Sequence, residues 1–317
     1  MRTDKPRDIR IILRQEHPIP QKKKEPRMYV ISMIAQPGML DGMLVENIRN
    51  AWGGGSVDWL APDEAAEFAL SRQPDNLETV WQSCQAMGVD LVLQSAGNRR
   101  KTLLIADMDS TMIAQECIDE LADVAGVGES VKAITARAMN GEFDFSDALR
   151  ERVALLSGKP ESIIDEVLRD RITYVTGGDV LLATMKAHGA YAALVSGGFT
   201  AFSARVAAHL GFDEHHANQL IIEDNILTGS VAYPILGKEA KVTALKDLTQ
   251  RLGITDADVL AVGDGANDLG MLTLAGTGVA LHAKPAVAAQ CDVKINFGDL
   301  SALLFLQGYA KDDFVTP

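Results

Sequence analysis

The sequence predicts an α/β protein: a doubly wound parallel sheet that carries an inserted helical cap, preceded by a small α+β domain. Two observations indicate this class. From Leu103 onward, short apolar runs alternate with stretches of helical periodicity, which is typical of a parallel sheet with helices on both faces. Before residue 98, strand-like runs and helical stretches instead follow an order typical of small domains with an antiparallel sheet.

The first domain, residues 28–98, has the element order of a ferredoxin-like fold, β-α-β-β-α-β. Its candidate elements are MYVISMIAQ (28–36), LDGMLVENIRNAW (40–52), VDWLAP (57–62), AAEFAL (65–70), NLETVWQSCQAMG (76–88) and VDLVLQSA (89–96). The polar segment GNRRK, residues 97–101, is typical of a linker.

The second domain, residues 101–310, has the strand–helix alternation of a Rossmann-like sheet. Its candidate strands are Leu103–Ala106, Ala190–Val195, Val259–Val262, Thr277–Ala280 and Val293–Ile295. Roughly 80 residues separate the first two strands, far more than a βα crossover requires. Because this interval is mostly helical in pattern, residues 113–176 are predicted to form a cap above the carboxyl end of the sheet, where ligands of such sheets bind.

The first 27 residues are basic, contain proline and lack the apolar core of a secretory signal. They predict either a disordered tail or a translation start that belongs at Met28.

Bulk properties exclude several classes of protein. The formal net charge of −13 and the pI of about 4.9 argue against a nucleic-acid binder. No apolar run reaches the roughly 18 residues that a membrane helix needs. Cys84, Cys117 and Cys291 show neither zinc-site nor disulfide spacing, which favours a reducing cytoplasm.

Carboxylates gather where the first strand of the second domain ends. Asp107 and Asp109 follow the apolar run, and side chains at i and i+2 on extended backbone point the same way. Like charges this close repel each other, so a counter-ion or a chemical task is expected. Asp264 follows another candidate strand and adds a third hard oxygen ligand, a set that suits Mg²⁺.

Groups suited to a phosphate follow other candidate elements. Ser196 and Gly197–Gly198 offer a hydroxyl and main-chain N–H groups, and a lysine of KEAK, Lys238 or Lys241, offers a positive charge. Carboxylates, Mg²⁺, lysine and N–H donors together indicate phosphoryl transfer, which depends mainly on positioning and charge neutralisation. The sequence has no GxxxxGK[ST] motif, so a carboxylate nucleophile is favoured over ATP binding.

Four motifs resemble those of the haloacid dehalogenase-like phosphatases, and the pattern is similar to the phosphoserine phosphatases within that family. They stand in the family's order and spacing: DMDSTMIAQECIDE (107–120), MNGEFDFSDALRERVALL (139–156), VSGGF (195–199) and GDGANDLGML (263–272). The likeness covers roughly residues 101–304. DxDST followed by GDGxND is highly specific, whereas DxD alone would be weak.

The resemblance implies roles for the acidic residues. Asp107 would be the nucleophile that becomes phospho-aspartyl, and Asp109 would protonate the leaving seryl oxygen and later accept a proton from water. Mg²⁺ would bind the carboxylates of Asp107 and Asp264 and the main-chain carbonyl of Asp109. Asp268 would support Lys241 or the metal, although it could also cap a helix.

The resemblance also implies a substrate-binding set. Ser196, Gly197 and Lys241 would hold the phosphoryl group, and Asn267 would contact phosphate or substrate. Lys241 is favoured over Lys238 because it aligns with the family motif.

The neighbouring His215–His216 could suggest a metal pair, but adjacent side chains diverge on regular elements, so a surface loop is predicted.

The cap would complete the site. Glu116 would bind the substrate ammonium and Arg152 its carboxylate, although without the family spacing both would be assigned to a solvated helix face. Phe145 and Met139 would close over the substrate and exclude water. Opening and closing would need hinges, for which the Ser110–Ile113 and Gly177–Gly178 segments are candidates.

The leading hypothesis is a cytoplasmic, Mg²⁺-dependent hydrolase of O-phospho-L-serine, acting in serine biosynthesis, with no nucleic-acid or membrane partner. One alternative is transfer of the phosphoryl group from phosphoserine to homoserine, and another is hydrolysis of a different small phosphoester. A non-enzymatic receiver or sensor module is disfavoured because receivers lack both DxDST and an inserted cap.

The first domain resembles the ACT-like domains that are joined to some of these enzymes. Such domains often bind amino acids, but the segment AQPGMLDGM (35–43) lacks their usual D-x-P-G pattern. Amino-acid sensing, a structural role and a homodimer contact through this domain therefore all stay open.

Overall fold

The computed structural model describes residues 28–139, 142 and 144–317. Residues 1–27, for which a tail or a start at Met28 is expected, lie outside the described residues. The chain that is described forms a small antiparallel domain, a larger parallel sheet with its helices, and a helical cap. The predicted fold class is confirmed.

The N-terminal domain has the predicted β-α-β-β-α-β order. Its elements are β1 Tyr29–Ile34, α1 Gly42–Trp52, β2 Val57–Ala61, β3 Ala65–Leu70, α2 Leu77–Ala86 and β4 Asp90–Ser95. The strands are antiparallel in the order β2-β3-β1-β4. Helix α1 begins where the Asp41 carboxylate accepts the N–H of Met43, and it ends at Gly53, whose positive φ of 65° favours glycine.

Parallel strands form the main sheet. Its strands are β5 Leu103–Ala106, β6 Tyr191–Phe199, β7 Glu214–Asn218, β10 Val259–Gly263, β11 Thr277–Leu281 and β12 Val293–Ile295, and a separate antiparallel hairpin contains β8 Leu220–Glu223 and β9 Ile226–Val231. Within the described residues the sheet order is β12-β11-β10-β5-β6-β7. Leu104 and Ala106 of β5 belong to one buried core, and Leu103 and Ile105 belong to another. This burial on both faces explains the uninterrupted apolar run.

The edge strand β7 and the hairpin are absent from the sequence-based prediction, and the surface loop predicted at His215–His216 is wrong. Both histidines pair with β6. The His215 ring bonds to the Ser203 hydroxyl at 2.9 Å, whereas His216 contacts Glu214 at 3.1 Å. An edge strand can be polar because its outer side is not packed against another strand. Since the two rings have different partners, they do not form a metal pair.

Helices form the cap between β5 and β6. They are α3 Cys117–Val124, α4 Gly128–Met139, α5 Phe145–Ala154 and α6 Ser162–Asp170. The two connections between cap and sheet pair with each other: the N–H of Ala114 donates to the carbonyl of Thr173, and that of Val175 to the carbonyl of Met112. The cap therefore enters and leaves the sheet domain at one place.

The connection that leaves the cap is tightly packed at Gly177. Its φ is 81°, and a Cβ atom there would lie 2.6 Å from the main-chain nitrogen of Ser301. The predicted hinges at Ser110–Ile113 and Gly177–Gly178 lie in or beside these connections, and hinge motion stays a prediction.

The remaining helices of the second domain lie outside the cap. They are α7 Gly178–Ala187, α8 Thr200–Leu210, α9 Lys238–Leu252, α10 Leu269–Leu274, α11 Pro285–Ala288 and α12 Ala302–Leu306. None of the helices described is both long and apolar enough to span a bilayer.

A buried carboxylate joins the N-terminal domain to the main sheet. Asp90, which is 0% exposed, accepts the N–H groups of Asn296, Phe297 and Gly298 at 2.8, 2.9 and 3.0 Å. Such a cluster of donors satisfies the carboxylate in a place that water does not reach. The loop after β12 is therefore held by the N-terminal domain.

Replacing Asp90 by alanine is expected to lower the free energy of unfolding by about 3 kcal/mol, because three buried N–H groups lose their acceptor. Thermal and urea unfolding measure this change. Asp58→Ala, at an exposed site in the same domain, serves as the control and should change stability by less than about 0.5 kcal/mol. Equal effects of the two substitutions would contradict a linking role for Asp90.

Candidate active site

The predicted site residues lie at the carboxyl end of the main sheet, beneath the cap. A cavity of about 410 Å³ lies between the two. Its lining includes nine of the predicted residues, namely Asp107, Asp109, Glu116, Phe145, Arg152, Ser196, Gly197, Asp264 and Asn267. Lys241 and Asp268 lie directly below the cavity, in contact with Asp107 or with each other. Met139 ends α4, and its side chain lies outside the described residues.

A buried lysine forms the floor of the site. Lys241, in the first turn of α9, places Nζ 2.6 Å from Asp107 Oδ2 and 2.5 Å from Asp268 Oδ1. All three side chains are at least 93% buried, since the lysine is 2%, Asp107 7% and Asp268 0% exposed. The two carboxylates raise the pKa of Lys241 against the opposing effect of its burial, so its ammonium stays charged.

Main-chain groups orient the carboxylates. The N–H of Met108 donates to Asp107 Oδ1 at 2.7 Å, and the N–H of Gly265 donates to Asp268 Oδ2 at 2.9 Å. The buried Thr111 hydroxyl donates to Asp264 Oδ1 at 3.1 Å. These local hydrogen bonds give the carboxylates that follow β5 and β10 nearby donors.

The carboxylate oxygens form a group that could hold a cation. One oxygen from each of Asp107, Asp264 and Asp268 lies within 4.8 Å of the others. Burial raises the pKa of Asp264, and repulsion by Asp107 raises it further. A divalent cation would relieve that repulsion. Asp109 points its carboxylate elsewhere, since Oδ1 accepts a hydrogen bond from the thiol of Cys117 at 3.1 Å.

The environment of Asp109 favours its protonated form. Desolvation raises its pKa well above the usual range, repulsion by Glu116 and Asp107 adds to the rise, and the Cys117 thiol opposes it. A carboxyl group that retains its proton near neutral pH can act as a general acid.

The Ser-Gly-Gly turn forms one wall of the cavity. Ser196 is 2% exposed, and its Oγ accepts the N–H of Gly198 at 2.8 Å. A Cβ atom on Gly198 would lie 3.1 Å from Asp109 Oδ2, and one on Gly197 would lie 3.1 Å from the Phe145 ring. Glycine at both positions therefore allows the cap and the acid to approach this turn closely.

The cap contributes groups of both charges. The Glu116 carboxylate accepts a hydrogen bond from the Ser110 hydroxyl at 2.9 Å. Arg152 lines the same cavity, with its Nε bonded to the Ala148 carbonyl at 3.2 Å. Burial lowers the pKa of Arg152, whereas Asp119 and Glu116 raise it. An acid and a guanidinium of the cap thus border the same cavity as the Asp107 carboxylate.

The structure adds residues that the motifs did not single out. Lys284 lines the cavity just beyond the carboxyl end of β11. It could have been predicted from the sequence, because other site residues also follow the carboxyl ends of strands. Thr111 could have been noticed as part of DxDST. Asn218, which is bonded to Gly197, lies in the polar strand β7 and carries no sequence signal.

A family model supports the motif-based assignment. The haloacid dehalogenase-like hydrolase model matches residues 104–273, which is just over half of the chain.

Curated relatives agree with this match. The phosphoserine phosphatase of Haemophilus influenzae is 47% identical over 204 residues, which is 64% of this chain and 65% of that protein, so the match spans just under two thirds of its length. The phosphoserine phosphatase of Lactococcus lactis is 44% identical over 204 residues, which is 64% of this chain and 94% of that protein.

Solved structures resemble both parts of the molecule. A HAD family hydrolase from Salmonella enterica serovar Typhi has a TM-score of 0.80 at 31% identity, covering 90% of this chain and 99% of its own. A phosphoserine phosphatase solved as a phospho-aspartyl intermediate analogue has a TM-score of 0.60 at 39% identity, covering 65% of this chain and 98% of its own.

Lys241→Met is expected to lower the free energy of unfolding by about 3 kcal/mol in buffer without divalent cations, because two buried carboxylates lose their counter-charge. Urea unfolding measures the loss. Lys238→Met is the matched control. Lys238 lies one turn away, is 71% exposed, and contacts only its neighbour Glu239 among the ion pairs described. Its replacement should therefore leave the free energy of unfolding nearly unchanged. Similar losses in both variants would contradict the assignment of Lys241 to the floor of the site.

Proposed function

We propose that this chain, which belongs to the haloacid dehalogenase-like hydrolases, hydrolyses O-phospho-L-serine to L-serine and phosphate. The observation that carries the proposal is the arrangement of one cavity. At its base lies Asp107, paired with Lys241, and at its cap side lie Glu116 and Arg152. These groups suit the phosphate, the ammonium and the carboxylate of phosphoserine.

Asp107 supplies the nucleophile. Its carboxylate attacks phosphorus and the bond to the seryl oxygen breaks, which gives a phospho-aspartyl group and L-serine. Lys241 pairs with Asp107 and, with the Ser196 hydroxyl and the main-chain N–H of Gly197, balances the charge on the phosphoryl oxygens.

Asp109 moves the proton in both half-reactions. Its protonated carboxyl gives a proton to the departing seryl oxygen, and the resulting carboxylate then accepts one from the water that attacks the phospho-aspartyl group. Phosphate leaves and Asp107 is restored. The raised pKa of Asp109 supports its starting as the acid.

The cap selects the substrate and limits water. Glu116 binds the ammonium and Arg152 binds the carboxylate, so a phosphoester that lacks either group loses a charged contact. Phe145 packs over Gly197 and near Gly237, a position from which its ring is proposed to shield bound substrate from water. Met139 is proposed to complete this enclosure, and Asn267 is proposed to contact phosphate or substrate.

Mg²⁺ is the proposed cofactor. The oxygen-only ligand set fits a hard cation, with Asp107 and Asp264 as side-chain ligands, the Asp109 carbonyl as a main-chain ligand and Asp268 as support. When bound, the ion neutralises the clustered carboxylates and the phosphoryl oxygens.

The cellular setting and assembly are also proposals. The three free cysteines are buried, which supports a reducing cytoplasm. The exposed Met39, Met43 and Trp59 lie in the N-terminal domain through which a homodimer is predicted, and that contact stays a prediction.

With Mg²⁺ present, the protein is expected to release phosphate from O-phospho-L-serine. Asp107→Asn should lower kcat about a thousandfold or more, because an amide is not a nucleophile. Phosphate assay gives the rate, and mass spectrometry of acid-quenched protein locates the phosphorylated residue. Full activity of Asp107→Asn would exclude the mechanism.

Two further arms of the same assay separate the alternatives. Adding homoserine and searching for phosphohomoserine tests the alternative that the protein transfers the phosphoryl group from phosphoserine to homoserine. Phosphoethanolamine lacks the carboxylate, and wild-type protein should prefer phosphoserine to it. Arg152→Met should remove most of this preference, and an unchanged preference would argue for another substrate class.

Mg²⁺ should stabilise the protein more at pH 7.5 than at pH 5. Desolvation and mutual repulsion raise the pKa values of Asp109, Glu116 and Asp264 in the folded state. The metal-free protein therefore loses stability as the pH rises. The loss begins at about pH 4, near the pKa values of these carboxyl groups in the unfolded chain, and continues up to their raised pKa values in the folded protein. The cation offsets this loss, by about 2.7 kcal/mol at a hundredfold excess over Kd.

Thermal unfolding with EDTA and with Mg²⁺ at both pH values checks this expectation. Asp264→Asn should shrink the Mg²⁺ effect and flatten its pH dependence. The same Mg²⁺ increment in that variant as in the wild type would place the cation elsewhere.

A further inference from the structure

The phosphate-binding turn interrupts the pairing of β6 with β7. Val195 pairs with His216, and the next pair is Phe199 with Asn218. Three residues of β6 therefore face a single residue of β7, and the Ser196–Gly198 turn bulges out of the ladder. Such a bulge needs other hydrogen-bond partners to hold one conformation.

The side chain of Asn218 supplies those partners. Its Nδ2 donates to the Gly197 carbonyl at 2.8 Å and to the Leu236 carbonyl at 3.2 Å, and its Oδ1 accepts the N–H of Leu236 at 2.7 Å. Asn218 is 2% exposed, so water does not compete for these bonds. One buried amide thus joins the turn to the segment that precedes α9.

The first bond orients the Ser196 hydroxyl. The Gly197 carbonyl and the Gly198 N–H belong to one planar peptide unit, so holding the carbonyl also sets the direction of the N–H. That N–H donates to Ser196 Oγ at 2.8 Å. Because Oγ accepts there, its own hydrogen is left to donate to a group in the cavity.

The other two bonds position Lys241. Leu236 is followed by Gly237, which caps α9, and Lys241 lies in the first turn of that helix. A shift of Leu236 would therefore move the start of α9 relative to Asp107. The Phe145 ring lies against both connected segments, at Gly197 and at Gly237.

We propose that Asn218 is a positioning residue that holds the Ser196 hydroxyl and the Lys241 ammonium in register on the same phosphoryl group. It touches no substrate itself and acts through two main-chain segments. This assignment rests on the proposed function, because it assumes that a phosphoryl group occupies the cavity.

Asn218→Asp tests the assignment, since it keeps the shape and the acceptor but replaces the Nδ2 donor with an oxygen. Both kcat/KM for phosphoserine and the affinity for inorganic phosphate, measured calorimetrically with Mg²⁺, should fall by about 10- to 100-fold as the two groups lose their alignment. Asn218→Ser, which retains a neutral donor in less volume, should give an intermediate loss and serves if the aspartate variant does not fold.

Gln307→Glu is the matched control. Gln307 is 3% exposed, and its amide likewise joins two main-chain segments, accepting the N–H of Lys101 and donating to the Leu303 carbonyl at 3.0 Å each. This variant should lower the unfolding temperature but keep phosphate affinity within twofold. Wild-type affinity in both Asn218 variants, or an equal loss in Gln307→Glu, would overturn the assignment.

The two proposals fail in different ways. If the wild type binds phosphate but does not hydrolyse phosphoserine, the proposed function fails, and the phosphate affinities of the Asn218 variants still decide the present assignment.

Discussion

The contact of Lys241 with Asp107 and Asp268 is the interaction on which the site depends. Three charged side chains lie almost wholly out of water, and any one of them alone would be costly to bury. Together they also join β5, α9 and the loop after β10, so the floor of the cavity cannot shift without separating charges. The geometry of Asp107, the proposed nucleophile, is therefore set by the same contact that makes its burial tolerable.

Around this rigid floor, the other functional groups come from parts with fewer connections. Glu116, Phe145 and Arg152 belong to a cap that meets the sheet domain through two paired segments. Asp109, the proposed general acid, lies at the junction, close to both the glycine turn and the cap residue Cys117. Under the proposed function, the sheet carries the reacting groups and the cap carries the groups that select the substrate, a division that allows one fold to keep its reaction while its substrate contacts vary.

The sequence predicted what local pattern and residue chemistry control. The bounds of β5 and β12 agree with their apolar runs. Asp107 and Asp264 were grouped because their chemical types fit one task, whereas Lys241 was chosen over Lys238 only by its alignment with the family motif. Strand β7 was missed because an edge strand need not alternate in polarity. The β8–β9 hairpin was missed although Asp224 and Asn225, which have positive φ angles, are typical turn residues. Asn218 could not be found, since its role arises only when distant segments meet.

Gly177 is connected to the N-terminal domain through the loop that follows β12. It packs against Ser301, the carbonyl of Thr176 accepts the N–H of Leu300, and the same loop begins at the three N–H groups held by Asp90. The N-terminal domain thus supports the segment in which one of the two cap hinges is predicted. A substitution that loosens the N-terminal domain is therefore expected to change how the cap moves over the cavity.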